Sequence, residues 1–241
     1  MNIMKTTTFL IGFLTIVLGF SMLSCQKDDD EPEKIISTQE VVRDDNVIVE
    51  ASYRNELRKM YFILVSPNTA VVTRATDFNP QLIHRQYYRK VVIPSEFEHM
   101  SQTYTVVGIK QEAFCACDKL TTVVMPNTIT DIGLNAFWGC VILNRVVLPD
   151  QLEYIGRGAF SNCNQLELID IPASVKWIDY NAFENCNSLR TVICHASTPP
   201  YMNWNVFAGC PIQEIKVPQT SVEAYQISHG WKEYADKIVG Y

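Results

Sequence analysis

The sequence predicts a mainly β solenoid of about five to six coils, with a β-rich cap at its N-terminal end and a helical cap at its C-terminal end. Two observations predict it. A short phrase recurs five times: Ala113-Phe114-Cys115-Ala116-Cys117, Ala136-Phe137-Trp138-Gly139-Cys140, Ala159-Phe160-Ser161-Asn162-Cys163, Ala182-Phe183-Glu184-Asn185-Cys186 and Val206-Phe207-Ala208-Gly209-Cys210. Its phenylalanines step by 23, 23, 23 and 24 residues. A fixed period in the twenties marks stacked coils, each too small to bury its own apolar side. The second observation is that apolar residues flank every copy in the same order, so all coils feed one interior.

Each coil divides into two elements. An isoleucine stands four residues before the first four alanines: Ile109, Ile132, Ile155 and Ile178. This Ile-x-x-x-Ala-Phe stretch reads as a short extended or turn element, with the small Ala at a tight turn and Phe filling the centre of the coil. After each Cys comes a second apolar block, such as Leu143, Val146, Leu148, Pro149 or Leu166, Ile169, Ile171, Pro172. It alternates and is β-branched, so it reads as a strand, which the proline closes. Coils paired at about 4.8 Å make five rungs roughly 24 Å long.

These residues resemble the BspA-like leucine-rich repeat, a class of roughly 23 residues found in bacterial surface proteins. The resemblance runs from about Val91 to Pro218. More weakly, Met60–Leu64 with Thr69–Val72 resembles the hairpin with which such domains begin, and Val91-Val92-Ile93-Pro94 with Tyr104–Ile109 the first coil. That coil is longer than the others and predicts a hairpin around Glu98–Thr103. Three departures stand out: His195 replaces the proline, Val206 replaces Ala, and Thr198-Pro199-Pro200 is inserted between them. The last coil is therefore expected to be irregular.

Residues 1–24 read as a signal peptide. Lys5 supplies the positive region, Phe9 to Phe20 an uncharged apolar core too short to span a bilayer, and Ser24-Cys25 the junction. The junction resembles a bacterial lipobox, with Met22 where Leu is usual, and implies lipid attachment at Cys25. An ordinary cleaved signal with an incidental Cys is the alternative. Residues 25–33 form an acidic tract with nothing apolar to bury, read as a disordered tether. The tract resembles the export signal of surface lipoproteins in some Gram-negative anaerobes. The expected location is the outer membrane, exposed on the cell surface; the alternative faces the periplasm. Residues 34–90 read as the β-rich cap, 91–218 as the repeats and 219–241 as the C-terminal cap. Within that last segment Ser221 to Gly230 reads as a helix with Ser or Thr at its N-cap and Gly at its C-cap, and Trp231 and Ile238-Val239 as packing on the last coil.

Composition excludes several functions. The formal net charge is −6, and loss of Lys5 with the signal makes it more negative, so nucleic acid is not an expected partner. Eight cysteines suggest disulfides in an exported chain. Five of them, Cys117, Cys140, Cys163, Cys186 and Cys210, share one position in successive coils, which holds their Cβ atoms about 5 Å apart, beyond disulfide reach. They read as a column of buried free thiols acting as small hydrophobes, with Cys194 inward as well. Cys115-x-Cys117 and Cys194-His195 lack the spacing of a metal site, and no metal or cofactor is expected. No catalytic motif is present, and His84, His99, His195 and His229 are scattered, so an enzyme is not expected.

One surface stands out. The residue before the core Ile reads Gly108, Asp131, Tyr154, Trp177 and, allowing for the insertion, Tyr201. Three residues further on stand Gln111, Leu134, Arg157, Tyr180 and Trp204. Stacking would gather Tyr154, Trp177, Tyr180, Tyr201 and Trp204 into one patch, the candidate ligand site. Alternatively, these rings pack over neighbouring coils or the C-terminal helix. The strand column Val124, Val147, Asp170, Ile193, Lys216 is a second candidate, mixed in chemistry. The family resemblance implies adhesion or contact with a host protein. The expectation is a surface protein binding an extracellular protein or glycan, with membrane contact through the lipid on Cys25. The alternative is a structural scaffold within a surface complex.

Overall fold

A computed structural model describes residues 35–43, 46–53, 59–74, 87 and 89–241. The expected signal peptide and tether, and Cys25, lie outside the described residues. The solenoid has two faces. The narrow face is built from β7 (Gln102–Ile109), β9 (Asp131–Ile132), β11 (Tyr154–Ile155), β13 (Trp177–Ile178) and β15 (Tyr201–Met202), paired in parallel in that order. The wide face carries β5 (Arg89–Val92), β8 (Leu120–Val124) and β10 (Arg145–Val147) in one sheet. A second sheet continues it with β12 (Leu168–Ile171), β14 (Thr191–Cys194), β16 (Glu214–Val217) and β17 (Ile238–Gly240).

Between the faces the chain turns where the repeated phrase stands. The five phenylalanines form one spine, with ring centroids 4.9, 5.1, 5.3 and 5.5 Å apart from Phe114 to Phe207, each ring buried. The residue before each Ala or Val206 is left-handed: Glu112, Asn135, Gly158, Asn181 and Asn205. So is the residue before each Cys: Ala116, Gly139, Asn162, Asn185 and Gly209, the whole set having φ between 52° and 75°. Asn and Gly recur there because they tolerate this conformation best.

The described cysteines form no disulfides, and Cys117, Cys140, Cys163 and Cys186 are buried with Cys194. They do more than fill space. The S–H of Cys140 donates to the Phe114 carbonyl at 3.1 Å, that of Cys163 to Phe137 at 3.3 Å and that of Cys186 to Phe160 at 3.1 Å. Cys210 repeats the contact with Phe183 at 3.0 Å, although it is only half-buried. Each thiol thus ties its coil to the one before it, while burial pushes the Cys140 and Cys163 thiols up.

The N-terminal end is an antiparallel meander of β1 (Ile35–Arg43), β2 (Asn46–Tyr53), β3 (Lys59–Ser66) and β4 (Thr69–Thr73). It joins the narrow face directly, because β4 pairs in parallel with β7. The long first coil contains a hairpin of β6 (Glu96–His99) against β7, turning through left-handed Met100 and Ser101. Buried His99 fastens this hairpin to the outermost strand: its Nε2 meets the Glu40 carboxylate and its Nδ1 the Thr38 hydroxyl, both at 2.9 Å.

The C-terminal end differs from expectation in two ways. The helix α1 (Val222–Ile227) is shorter than expected, and Ser221 does not cap it with its side chain. The Ser221 hydroxyl donates instead to the Ser197 carbonyl at 2.8 Å, pinning the inserted loop. Gly230, at φ 77°, follows the helix by three residues and lies against Met202, where a Cβ would meet the Met202 carbonyl at 2.5 Å. Beyond it, Ile238 does not merely pack: β17 adds a rung to the wide face, with Ile238 beside Ile215. Irregularity of the last coil is confined to the insertion, since β15 keeps the register of β13.

Candidate functional site

The narrow face positions the candidate rings. Ile132, Ile155, Ile178 and Met202 point into the core, so the residue before each points outward. The register sets Asp131, Tyr154, Trp177 and Tyr201 side by side. Trp177 is 42 % exposed, Tyr180 43 %, Tyr201 43 % and Trp204 48 %, so these four form a solvent-facing group and are not covered by helix α1. Tyr154 is half-buried.

Trp177 stacks on Tyr201 with centroids 4.2 Å apart. The other face of Tyr201 is covered by His229, 5.3 Å away and nearly parallel, and Trp204 meets the imidazole edge-on at 4.7 Å. His229 completes a four-ring cluster that the repeat pattern could not reveal, because it follows α1 and belongs to no column. Its Nδ1 lies 3.0 Å from the Met202 carbonyl. A carbonyl only accepts, so Nδ1 carries the proton and a neutral ring offers Nε2 as an acceptor.

Below the rings, Asp179 is the polar hub. Its carboxylate accepts the Tyr154 hydroxyl at 2.7 Å, the buried Asn203 amide at 2.7 Å and the Tyr180 N–H at 2.8 Å. Burial, followed by the hydrogen bond and charge of Asp179, pushes the Tyr154 phenol up to about 12. The hub holds the Tyr154 hydroxyl and the backbone under Tyr180. No ring meets Tyr180 among the described residues.

The second candidate, on the wide face, offers less. Val124, Val147, Ile193 and Lys216 are half-buried and only Asp170 is exposed. His195 bridges Asp170 and Tyr241, with 2.6 Å contacts at Nε2 and Nδ1, so it holds the last rung in place. Among the described residues no three His, Cys, Asp or Glu side chains gather as a metal site, and no helix is long and apolar enough to cross a membrane.

The profile of the BspA type leucine rich repeat region matches residues 107–228 in six copies. The chain belongs to the BspA-type leucine-rich-repeat family. A leucine rich repeat protein of T. pallidum has the same fold, with a TM-score of 0.57 and 23% identity over 78% of this chain and 80% of that one. A leucine-rich repeat protein from Bacteroides capillosus is 30% identical over 60% of this chain and 94% of its own, with a TM-score of 0.46. A leucine rich cell surface protein from Faecalibacterium prausnitzii is 26% identical over 75% of this chain and 52% of its own, with a TM-score of 0.44. No functionally curated protein matches the chain. In this BspA-type protein the repeat supplies the scaffold, and the aromatic group is a local elaboration of its C-terminal coils.

Proposed function

We propose that this BspA-type protein is a non-catalytic, lipid-anchored surface protein that binds an extracellular protein or glycan through its aromatic face. The observation that carries the reading is the exposure of Trp177, Tyr180, Tyr201 and Trp204 on one side of adjacent rungs. Large rings are seldom left in water together on a surface that binds nothing, whereas amphipathic Tyr and Trp are favoured at contact surfaces. Anchoring through Cys25 would hold the N-terminal end at the membrane and leave the C-terminal coils outward. The test is an array of glycans and extracellular-matrix proteins, probed with the purified full chain and with Trp177→Ala/Trp204→Ala. The reading expects at least one ligand that the wild type retains and the variant loses. Identical profiles for the two proteins would refute it.

A further inference from the structure

The stack has two kinds of ring. Tyr201 is covered by Trp177 on one face and His229 on the other, so it meets solvent along its edge. Trp177 ends the stack. One indole face lies on Tyr201, so the opposite face is turned along the solenoid toward the Tyr154 rung, and no ring meets it there among the described residues. Tyr154 is held by its bond to Asp179. The result is a step, with this indole face as its riser and the Tyr154 rung as its tread.

Charge distinguishes this step from the rest of the face. Arg157 is exposed, stands one rung before Tyr180 in the neighbouring column and forms no ion pair among the described residues. The two rungs are joined there by the Gly158 N–H to the Tyr180 carbonyl at 2.9 Å. Of the carboxylates nearby, Glu153 is paired with Lys176 at 2.6 Å, while Asp179 accepts three hydrogen bonds and Asp131 one from the Thr130 hydroxyl at 2.6 Å, all from neutral donors. Among the described residues no carboxylate pairs with the Arg157 guanidinium. An aromatic face is electron-rich and attracts polarised C–H groups, such as those on the flat side of a pyranose. A guanidinium fork matches a carboxylate in bidentate geometry. The net charge of −6 disfavours a long polyanion, so recognition falls to one local acid group.

Resting on the binding role proposed above, we propose that this step is a subsite for an acidic sugar, its ring laid on Trp177 and its carboxylate held by Arg157. The test titrates the purified full chain with galacturonate oligosaccharides and sialyllactose, each also as its methyl ester, following tryptophan fluorescence and binding heat. The acids are expected to bind more tightly than their esters by about tenfold or more, the equivalent of one good charge-assisted contact. Arg157→Gln should erase that ratio and leave ester binding unchanged. Trp177→Ala should weaken acid and ester alike, and Trp177→Tyr, which keeps a ring face, should restore much of both. Equal binding of acid and ester by the wild type, or an unchanged ratio in Arg157→Gln, would overturn the subsite. Binding of matrix proteins alone, lost in Trp177→Ala/Trp204→Ala, would also overturn it while leaving the wider binding role intact.

Discussion

Asn203 donates its side-chain amide to Asp179 over 2.7 Å from a position almost closed to water. The bond links two neighbouring rungs beneath the aromatic face. Asp179→Ala would strip the acceptor from Asn203 and from the Tyr154 hydroxyl together. A buried donor left unsatisfied costs about 1–3 kcal/mol. Denaturant unfolding should show a loss in that range, and a smaller one for Asp179→Asn, which keeps a carbonyl acceptor. An Asp179→Ala protein as stable as the wild type would mean the hub does not organise this surface.

The exposed rings should matter little for stability. Truncating an exposed ring usually changes stability by within about 0.5 kcal/mol, against roughly 3–5 kcal/mol for a buried one. Trp177→Ala and Trp204→Ala are therefore expected to shift the thermal midpoint by a few degrees each. Phe160→Ala, in the buried spine, should lower it far more. A collapse of fold in either tryptophan variant would reassign those residues to the core.

Alkali should unfold the protein through its phenols. The Tyr154 and Tyr234 phenols are each pushed up to about 12, and Tyr61 and Tyr225 are also raised, in every case chiefly by burial. A raised phenol favours the neutral folded form. Its contribution is fully present below the unfolded value of about 10 and is lost as pH rises through the folded value. Stability should hold to about pH 10 and then fall steeply, and Tyr154→Phe should soften that fall. A flat stability profile from pH 9 to 12 would contradict it.

Thiol labelling should follow exposure. Cys115 and Cys210 are half-buried while Cys117, Cys140, Cys163, Cys186 and Cys194 are buried. A thiol reagent should modify the first two in the native protein. All seven should react after denaturation without reductant. Two or more disulfides by mass spectrometry would undo the free-thiol ladder.

Cys25→Ser tests the proposed anchor. The variant should leave the membrane fraction and fail to take up labelled fatty acid. Neutralising residues 27–31 should preserve lipidation but lower protease access on intact cells. Unchanged access would reduce that tract to a spacer.

The periodic region of the fold is legible in the sequence because one core geometry repeats. Phe and Cys mark the inside of every coil, so counting 23 residues aligns Tyr154 with Trp177, and one inserted residue brings Tyr201 into line. The left-handed positions are also written in the sequence, as Asn and Gly recurring before Ala and before Cys. What escapes lies where the period fails. His229 reaches the aromatic face beside Gly230, which packs on Met202. Strand β17 follows β16 at the same 23-residue offset, Ile215 to Ile238, but without the Ala-Phe-Cys phrase between them. Tyr225 and Trp231 fill that space instead. The length of α1 is hidden because a serine placed like a cap can bond elsewhere, and Ser221 reaches Ser197.

The narrow sheet runs unbroken from the meander to Tyr201. Its inter-rung hydrogen bonds lie along the line joining the N-terminal end to the aromatic face. A pull between those two points would load the bonds in series, and the rungs would separate in succession. Each freed coil adds about 80 Å of slack, from 23 residues at roughly 3.5 Å each. Because the coils are near-copies, they yield at similar tension. Stretched in this way, the stack would lengthen in even steps and dissipate work at each one.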